Sequence, residues 1–230
     1  MTLNENNLKE TKNNQALPMQ KIITPASSSG VKSICVYCGS GVGSKPVYAE
    51  AARTLGRSLA ESGIGLVYGG GSLGLMGEVA RATLDAGGRA TGIIPAFLSE
   101  REQMLRDVDE LIVTEDMHQR KMLMFQKSDA FVALPGGIGT LEELVEQLTW
   151  SQLGQHHKPI IVANIDGFWT PFLRLLEHMR TDAFIRQEME VGFTVVDRAE
   201  DIVPAAISAV PATEAVKPQP KDDAAIISRM

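Results

Sequence analysis

Three short apolar runs in this chain each break into a glycine cluster. Ser33-Ile-Cys-Val-Tyr-Cys38 runs into Gly39-Ser-Gly-Val-Gly43, Ile64-Gly-Leu-Val-Tyr68 into Gly69-Gly-Gly-Ser72, and Asp129-Ala-Phe-Val-Ala-Leu134 into Pro135-Gly-Gly-Ile-Gly-Thr140. Runs of this length suit strands, and the residues after each cluster fall at helical spacing. Consecutive parallel strands need a crossover, which a helix supplies. The runs are apolar throughout rather than alternating, as expected when helices cover both faces of a sheet. The predicted fold is α/β: a Rossmann-like, doubly wound parallel sheet in a single domain.

Further elements follow the same rhythm. Pro46 suits a first helical turn and precedes Tyr48, Ala51, Leu55 and Leu59. Leu73–Ala86 and Asp116–Lys127 read as helices, Arg89–Ile94 and Glu110–Thr114 as strands. After the third glycine cluster a helix is predicted to turn Leu141, Leu144, Val145 and Leu148 to one face. Lys158–Ala163 then reads as a strand and Phe168–Met179 as a helix. The folded body spans 31–209. Residues 1–30 are polar and end in Pro25-Ala-Ser-Ser-Ser-Gly30, and 210–230 lack periodicity, so both are predicted to be flexible tails.

Composition removes several function classes. The 230 residues are 44% hydrophobic with a net charge of -6, which opposes general affinity for nucleic acid. No apolar run approaches the roughly 20 residues of a membrane span. No secretory signal opens the chain, so a cytoplasmic protein without membrane association is expected. The two cysteines cannot staple a scaffold. Cys35 and Cys38 are three apart in a strand, which sends them to opposite faces and argues against a metal or redox pair. His156-His157 reads as a surface turn, and no metal-ligand spacing occurs. No cofactor is expected.

In an open parallel sheet, ligands sit beyond the carboxyl ends of the strands. Glycine lets backbone approach a phosphate, and the helix behind it offers free N–H groups and a positive dipole end. Three such loops on one edge point to a phosphorylated ligand, with Ser40, Gly70 and Gly71 among the candidate contacts. Gly69-x-Gly71-x-x-Gly74 matches the dinucleotide fingerprint, yet the next strand ends Ile93-Ile94-Pro95 without the carboxylate that would hold a ribose. No Gly-Lys-Ser/Thr follows any loop, so a mononucleotide fits best.

Met117-His-Gln-Arg-Lys121, followed by Pro135-Gly-Gly-Ile-Gly-Thr-Leu-Glu-Glu143, resembles the paired signature of the LONELY GUY family of cytokinin-activating nucleoside 5′-monophosphate phosphoribohydrolases. The resemblance runs from about Ser33 to Val196 through Tyr68-Gly-Gly-Gly-Ser-Leu-Gly-Leu-Met-Gly77, Thr149-Trp-Ser-Gln-Leu-Gly154 and Asn164-Ile-Asp-Gly167. It implies release of adenine-type bases, N6-modified ones especially, with ribose 5-phosphate as the other product. It also implies a homodimer with helices near Arg120 and Leu141 close to the interface. Relatives often carry the label lysine decarboxylase, but nothing in the sequence suggests a pyridoxal phosphate site.

Breaking a ribose–base bond passes through an oxocarbenium-like state, which needs a carboxylate beside the anomeric carbon and an anchor for the phosphate. Glu143, with Glu142 beside it, is expected in the first turn of the helix after the third loop, where the helix N-terminus stabilises an anion, and periodicity does not choose between the two. The resemblance assigns the catalytic role to Glu143, with Arg120 as its partner. Arg120 shares a helix face with Met117 and Met124. The resemblance further implies substrate contacts at Glu102, Lys121, Gly136, Gly137, Ile138, Gly139, Thr140, Leu141, Glu142 and Thr149. His118 neighbours Arg120 but points elsewhere on the helix. The glycine loops alone also suit a non-catalytic carrier of a phosphorylated ligand.

Overall fold

The computed structural model describes residues 30–99, 104–105, 107–185 and 192–210. The predicted tails fall almost wholly outside the described residues, as does Glu102.

Seven strands form one parallel sheet: β1 (Ser33–Tyr37), β2 (Gly65–Tyr68), β3 (Ala90–Pro95), β4 (Glu110–Thr114), β5 (Ala130–Ala133), β6 (Ile160–Ala163) and β7 (Thr194–Val196). Their spatial order is β4-β3-β2-β1-β5-β6-β7, and every neighbouring pair runs parallel. The chain therefore winds one way from β1 to β4 and the other way from β5 to β7. The reversal lies between β1 and β5, the topological switch point where such sheets hold ligands.

Between the strands lie α1 (Pro46–Glu61), α2 (Gly74–Asp85), the short α3 (Ala96–Ser99), α4 (Met117–Gln126), α5 (Ile138–Gln152), α6 (Thr170–Thr181) and, last, α7 (Ile202–Ser208). Alternate strand residues face opposite layers. Ile34, Val36, Leu66, Val132 and Ile161 pack on one face with Leu55 and Leu59 of α1, Val79 of α2 and Ile202 of α7. Cys35, Tyr37, Val67, Phe131 and Val162 pack on the other with Met124 of α4 and Leu144 and Leu148 of α5. Side chains buried this fully contribute about 1.5–3 kcal/mol each. The doubly wound sheet is thus as predicted, and Cys35 and Cys38 lie on opposite faces as free, buried thiols.

Three sequence expectations need correction. Val145 is exposed, because the buried face of α5 is Thr140, Glu143, Leu144, Gln147 and Leu148. A polar pair replaces an apolar one, so periodicity in apolar residues placed the face about a residue away. His156 is buried rather than part of a surface turn, bonded to the backbone of α5. Finally, β7 and α7 follow the last predicted helix. At three half-exposed residues β7 is too short to announce itself. Among the described residues no helix is long and apolar enough to cross a membrane.

Candidate active site

The three glycine loops meet at the carboxyl edge of the sheet, around the switch point. Gly39 N–H donates to the Pro135 carbonyl at 3.1 Å, tying the β1 loop to the β5 loop. Leu75 N–H, at the start of α2, donates to the Gly39 carbonyl at 3.0 Å and ties in the β2 loop. Gly74 makes this approach possible. It sits at φ +59°, and a Cβ there would run into the Ser40 backbone.

A cleft of about 230 Å³ opens over this junction, lined by Tyr37, Gly39, Ser40, Gly69, Met76, Met117, Arg120, Met124, Gly137–Thr140, Glu142 and Glu143. At one side stands the N-terminus of α5. Its N-cap is Gly137, no side chain caps it, and no acidic residue occupies its first turn. The first-turn N–H groups at Ile138, Gly139 and Thr140 thus face the cleft with the positive end of the helix dipole. That is an anion site made of backbone.

Arg120 reaches the cleft from α4, whose N-cap Asp116 accepts a hydrogen bond from Gln119 N–H at 2.8 Å. Its Nε donates to the Ile93 carbonyl at 3.1 Å, and its Nη2 donates to the Gly69 carbonyl at 3.5 Å. The guanidinium is therefore fixed by the ends of β3 and β2 and retains Nη1 for the cleft. A Cβ at Gly69 would crowd Nη2 of Arg120 and Sδ of Met76, so the guanidinium keeps its present place only beside a glycine. Nη1 lies 3.7 Å from Oε1 of Glu143, an ion pair beyond hydrogen-bonding distance between side chains only 8% and 10% exposed.

The helix start that left two glutamates open is now resolved in space. Glu143 is buried opposite Arg120, whereas Glu142 is half exposed at the rim and pairs with Lys121 Nζ at 2.7 Å. Lys121 also pairs with Glu146 at 2.8 Å, so it joins α4 to α5. Burial alone would lower its pKa, but these two carboxylates hold it above the usual lysine value.

Of the other residues singled out in the sequence, Ser40, Gly137, Ile138, Gly139, Thr140 and Glu142 line the cleft. Gly136 sits one residue behind, in an adjoining lobe with Ser40–Ser44, Tyr48 and Phe168. Gly70 and Gly71 turn away, toward the segment at 104–105: the Gly70 carbonyl accepts from Leu105 N–H at 3.2 Å, and Gly71 bridges to Met104. Leu141 is half-buried against the α4–α6 layer. Thr149 is exposed about three turns along α5, with its hydroxyl donating to the Val145 carbonyl. His118 is exposed. Tyr37, Gly69 and Met76 line the cleft without having been singled out. The last residue of a strand before a glycine loop was the available signal for Tyr37. Burial, and the nearby Cys35 and Glu143, hold its phenol well above the usual tyrosine range.

Residues 76–206 match the protein family described as possible lysine decarboxylase. Cytokinin riboside 5′-monophosphate phosphoribohydrolase LOG3 of Arabidopsis thaliana is 47% identical over 189 residues, 82% of each chain. The probable enzyme of the same kind LOGL1 of Oryza sativa subsp. japonica is 48% identical over 155 residues, 67% of this chain and 70% of that one. The chain belongs to the LONELY GUY family. Among solved structures, the molybdenum cofactor binding protein of Rippkaea orientalis superposes with a TM-score of 0.57 at 25% identity, covering 76% of this chain and 95% of that one. The molybdenum cofactor carrier protein of Chlamydomonas reinhardtii, at 22% identity and a TM-score of 0.58 over 77% and 96% of the two chains, shares the fold.

The family description as a decarboxylase does not fit the residues here. A pyridoxal phosphate enzyme needs a lysine with a free amine beside the cofactor, and among the described residues no lysine lines this cleft. Lys121, the nearest in sequence to Arg120, is held charged between Glu142 and Glu146. Among the described residues no group of three or more His, Cys, Asp and Glu could hold a metal.

Proposed function

We propose that this chain hydrolyses the N-glycosidic bond of adenosine 5′-monophosphates, N6-modified ones above all, releasing free base and ribose 5-phosphate. The observation that carries this reading is the buried Arg120–Glu143 pair beside the uncapped N-terminus of α5. The helix start binds the 5′-phosphate. Glu143 lies at the second turn of the same helix, so a ribose anchored by its phosphate presents its anomeric carbon to a carboxylate.

As the C1′–N bond breaks, positive charge develops on the ribose ring, and the Glu143 carboxylate stabilises it. Water adds its oxygen to C1′ and the departing base takes up a proton. Arg120 cannot act as an acid at neutral pH. Fixed by two carbonyls, it holds Glu143 in place and offers Nη1 to ribose or phosphate oxygens.

The protein works as a homodimer. Val113, Met122 and Val145 expose apolar surface on β4, α4 and α5, beyond what one buried helix face requires. A second reading, a carrier that holds a phosphorylated ligand uncleaved, is favoured by the fold likeness to the molybdenum cofactor binding protein. A buried carboxylate beside a phosphate site has no evident use in a carrier, because it would repel the ligand it faces. The deciding experiment incubates the protein with AMP and with isopentenyl-AMP and assays free base and ribose 5-phosphate. Binding without either product would favour the carrier.

A further inference from the structure

The turn between α5 and β6 carries two titratable side chains that the cleft does not use. His156 Nε2 lies 3.2 Å from the Gln147 carbonyl of α5, and its Nδ1 accepts from Lys158 N–H at 3.1 Å. The ring is therefore neutral with its proton on Nε2, and both nitrogens are engaged. Lys158 Nζ donates to the Phe125 carbonyl in the last turn of α4 at 2.7 Å and lies 3.9 Å above the Phe125 ring. That ring meets Trp150 of α5 edge-on at 5.2 Å, His156 at 5.4 Å and Phe131 of β5 at 5.9 Å.

One turn thus grips α4 at its rear, at Phe125, and α5 at Gln147, one turn past Glu143, while Arg120 lies in the front half of α4. The grip matters because α4 is short and carries only two fully buried side chains, Arg120 and Met124, with Leu123 and Phe125 partly buried against the same layer. Its placement is further fixed by the Asp116 cap in front, the Lys121 bridges to α5 at the side, and Lys158 behind. A helix that slides or tilts by an ångström at its rear changes the gap between Arg120 and Glu143, and catalytic geometry is lost on that scale.

We propose that His156 and Lys158 form a positioning clamp that sets α4 against α5 and thereby the spacing of Arg120 and Glu143, without touching the substrate. The proposal rests on the reading of that pair as the reacting groups. Lys158→Met keeps the stem over Phe125 but removes the bond to its carbonyl. His156→Phe removes both ring bonds. Lys158→Arg and His156→Gln restore a donor to the Phe125 and Gln147 carbonyls respectively.

The experiment measures kcat and KM on isopentenyl-AMP, the Kd of ribose 5-phosphate, and amide exchange in α4 and α5 of the full chain. Ile202→Ala in α7, on the opposite face of the sheet, serves as a control for general destabilisation. Lys158→Met and His156→Phe should lower kcat by roughly tenfold while KM and the ribose 5-phosphate Kd stay within about twofold. Exchange in α4 should quicken, the two restoring variants should recover most of kcat, and Ile202→Ala should leave kcat in place.

A normal kcat in Lys158→Met while Arg120→Ala and Glu143→Ala are inactive overturns the clamp alone. So does an equal loss of kcat in the Ile202→Ala control. Retained turnover in Arg120→Ala and Glu143→Ala overturns the reading of the pair and the clamp with it. Should His156→Phe fail to fold, the half-exposed Lys158 carries the test.

Discussion

Arg120 Nη1 and Glu143 Oε1 stand 3.7 Å apart across the cleft, close enough to attract and too far to hydrogen-bond. The gap follows from how each is held. Arg120 spends Nε and Nη2 on the Ile93 and Gly69 carbonyls, and Glu143 is fixed by its place in α5. Neither collapses fully onto the other, so the pair stays open toward the cleft, as the proposed placement of a ribose between them requires. A tighter pair would be more stable and less useful.

Glu143→Gln and Arg120→Ala should each lower kcat by about 10³-fold or more, as removal of a transition-state charge does. Glutamine keeps the shape of Glu143, so that variant should fold, as circular dichroism will show. Glu142→Ala should be mild, because its carboxylate faces Lys121 and solvent at the rim. Near-normal turnover in folded Glu143→Gln would sink the assignment.

Gly69→Ala tests whether the guanidinium must occupy its present place. The added methyl falls on Nη2 and close to Met76 Sδ, so Arg120 must move. The expected loss is about 10²-fold in kcat, the scale of an ångström of misplacement. Unchanged kinetics in a folded Gly69→Ala protein would mean that the position of Arg120 is not critical.

The 5′-phosphate should be indispensable. On the proposed reading the α5 N-terminus and the glycine loops anchor it, and that remote binding would support the reacting geometry as well as affinity. Adenosine should therefore lose turnover and not merely bind weakly, and ATP should also be poor. The comparison is adenosine, AMP and ATP under identical conditions. Similar rates for adenosine and AMP would contradict the role given to the loops.

Light scattering at micromolar concentration should give a dimeric mass, and Met122→Glu together with Val145→Glu should shift it toward the monomer. Both side chains are exposed on adjacent helices, so the charges should cost little in an isolated protomer. A monomeric wild-type mass would remove the dimer from the proposal.

Burial, with smaller contributions from Lys158 and His157, depresses the pKa of His156 despite its bond to the Gln147 carbonyl. The unfolded chain accepts this proton near the ordinary histidine value of about 6.5, and the folded one only at lower pH. Stability is then fully present above about pH 6.5 and falls as pH drops below it. Melting temperatures of wild type and His156→Gln from pH 5 to 7.5 should converge toward the acidic end. Parallel curves would count against a buried, neutral His156.

Strands and helices were legible because their signals are local. An apolar run that breaks into glycine before a helical period reads the same wherever it sits, and β1, β2 and β5 with the helices after them follow it. Handedness and crossover rules give a parallel sheet, but the order β4-β3-β2-β1-β5-β6-β7 is visible only in the tertiary structure. Val145 and His156 were misplaced for one reason: the buried face of α5 is partly polar. Glu143 and Gln147 take positions that apolar periodicity reserves for hydrocarbon, and a histidine turned inward looks like any polar turn residue.

By itself the sequence determined that three glycine loops must share one edge of a parallel sheet, since strand, turn and helix repeat in that order and connections are right-handed. Composition and motif then made a phosphorylated ligand the natural occupant. Only the tertiary structure decided which glutamate faces the arginine, because adjacent helical residues lie about 100° apart and the docking of α5 turns Glu143, not Glu142, toward Arg120. It also decided why Gly69 has no side chain and which loop turns away. Those outcomes depend on contacts between residues 51 and 23 positions apart, Gly69 with Arg120 and Arg120 with Glu143. Distances across a fold are set by packing, and no local pattern encodes them.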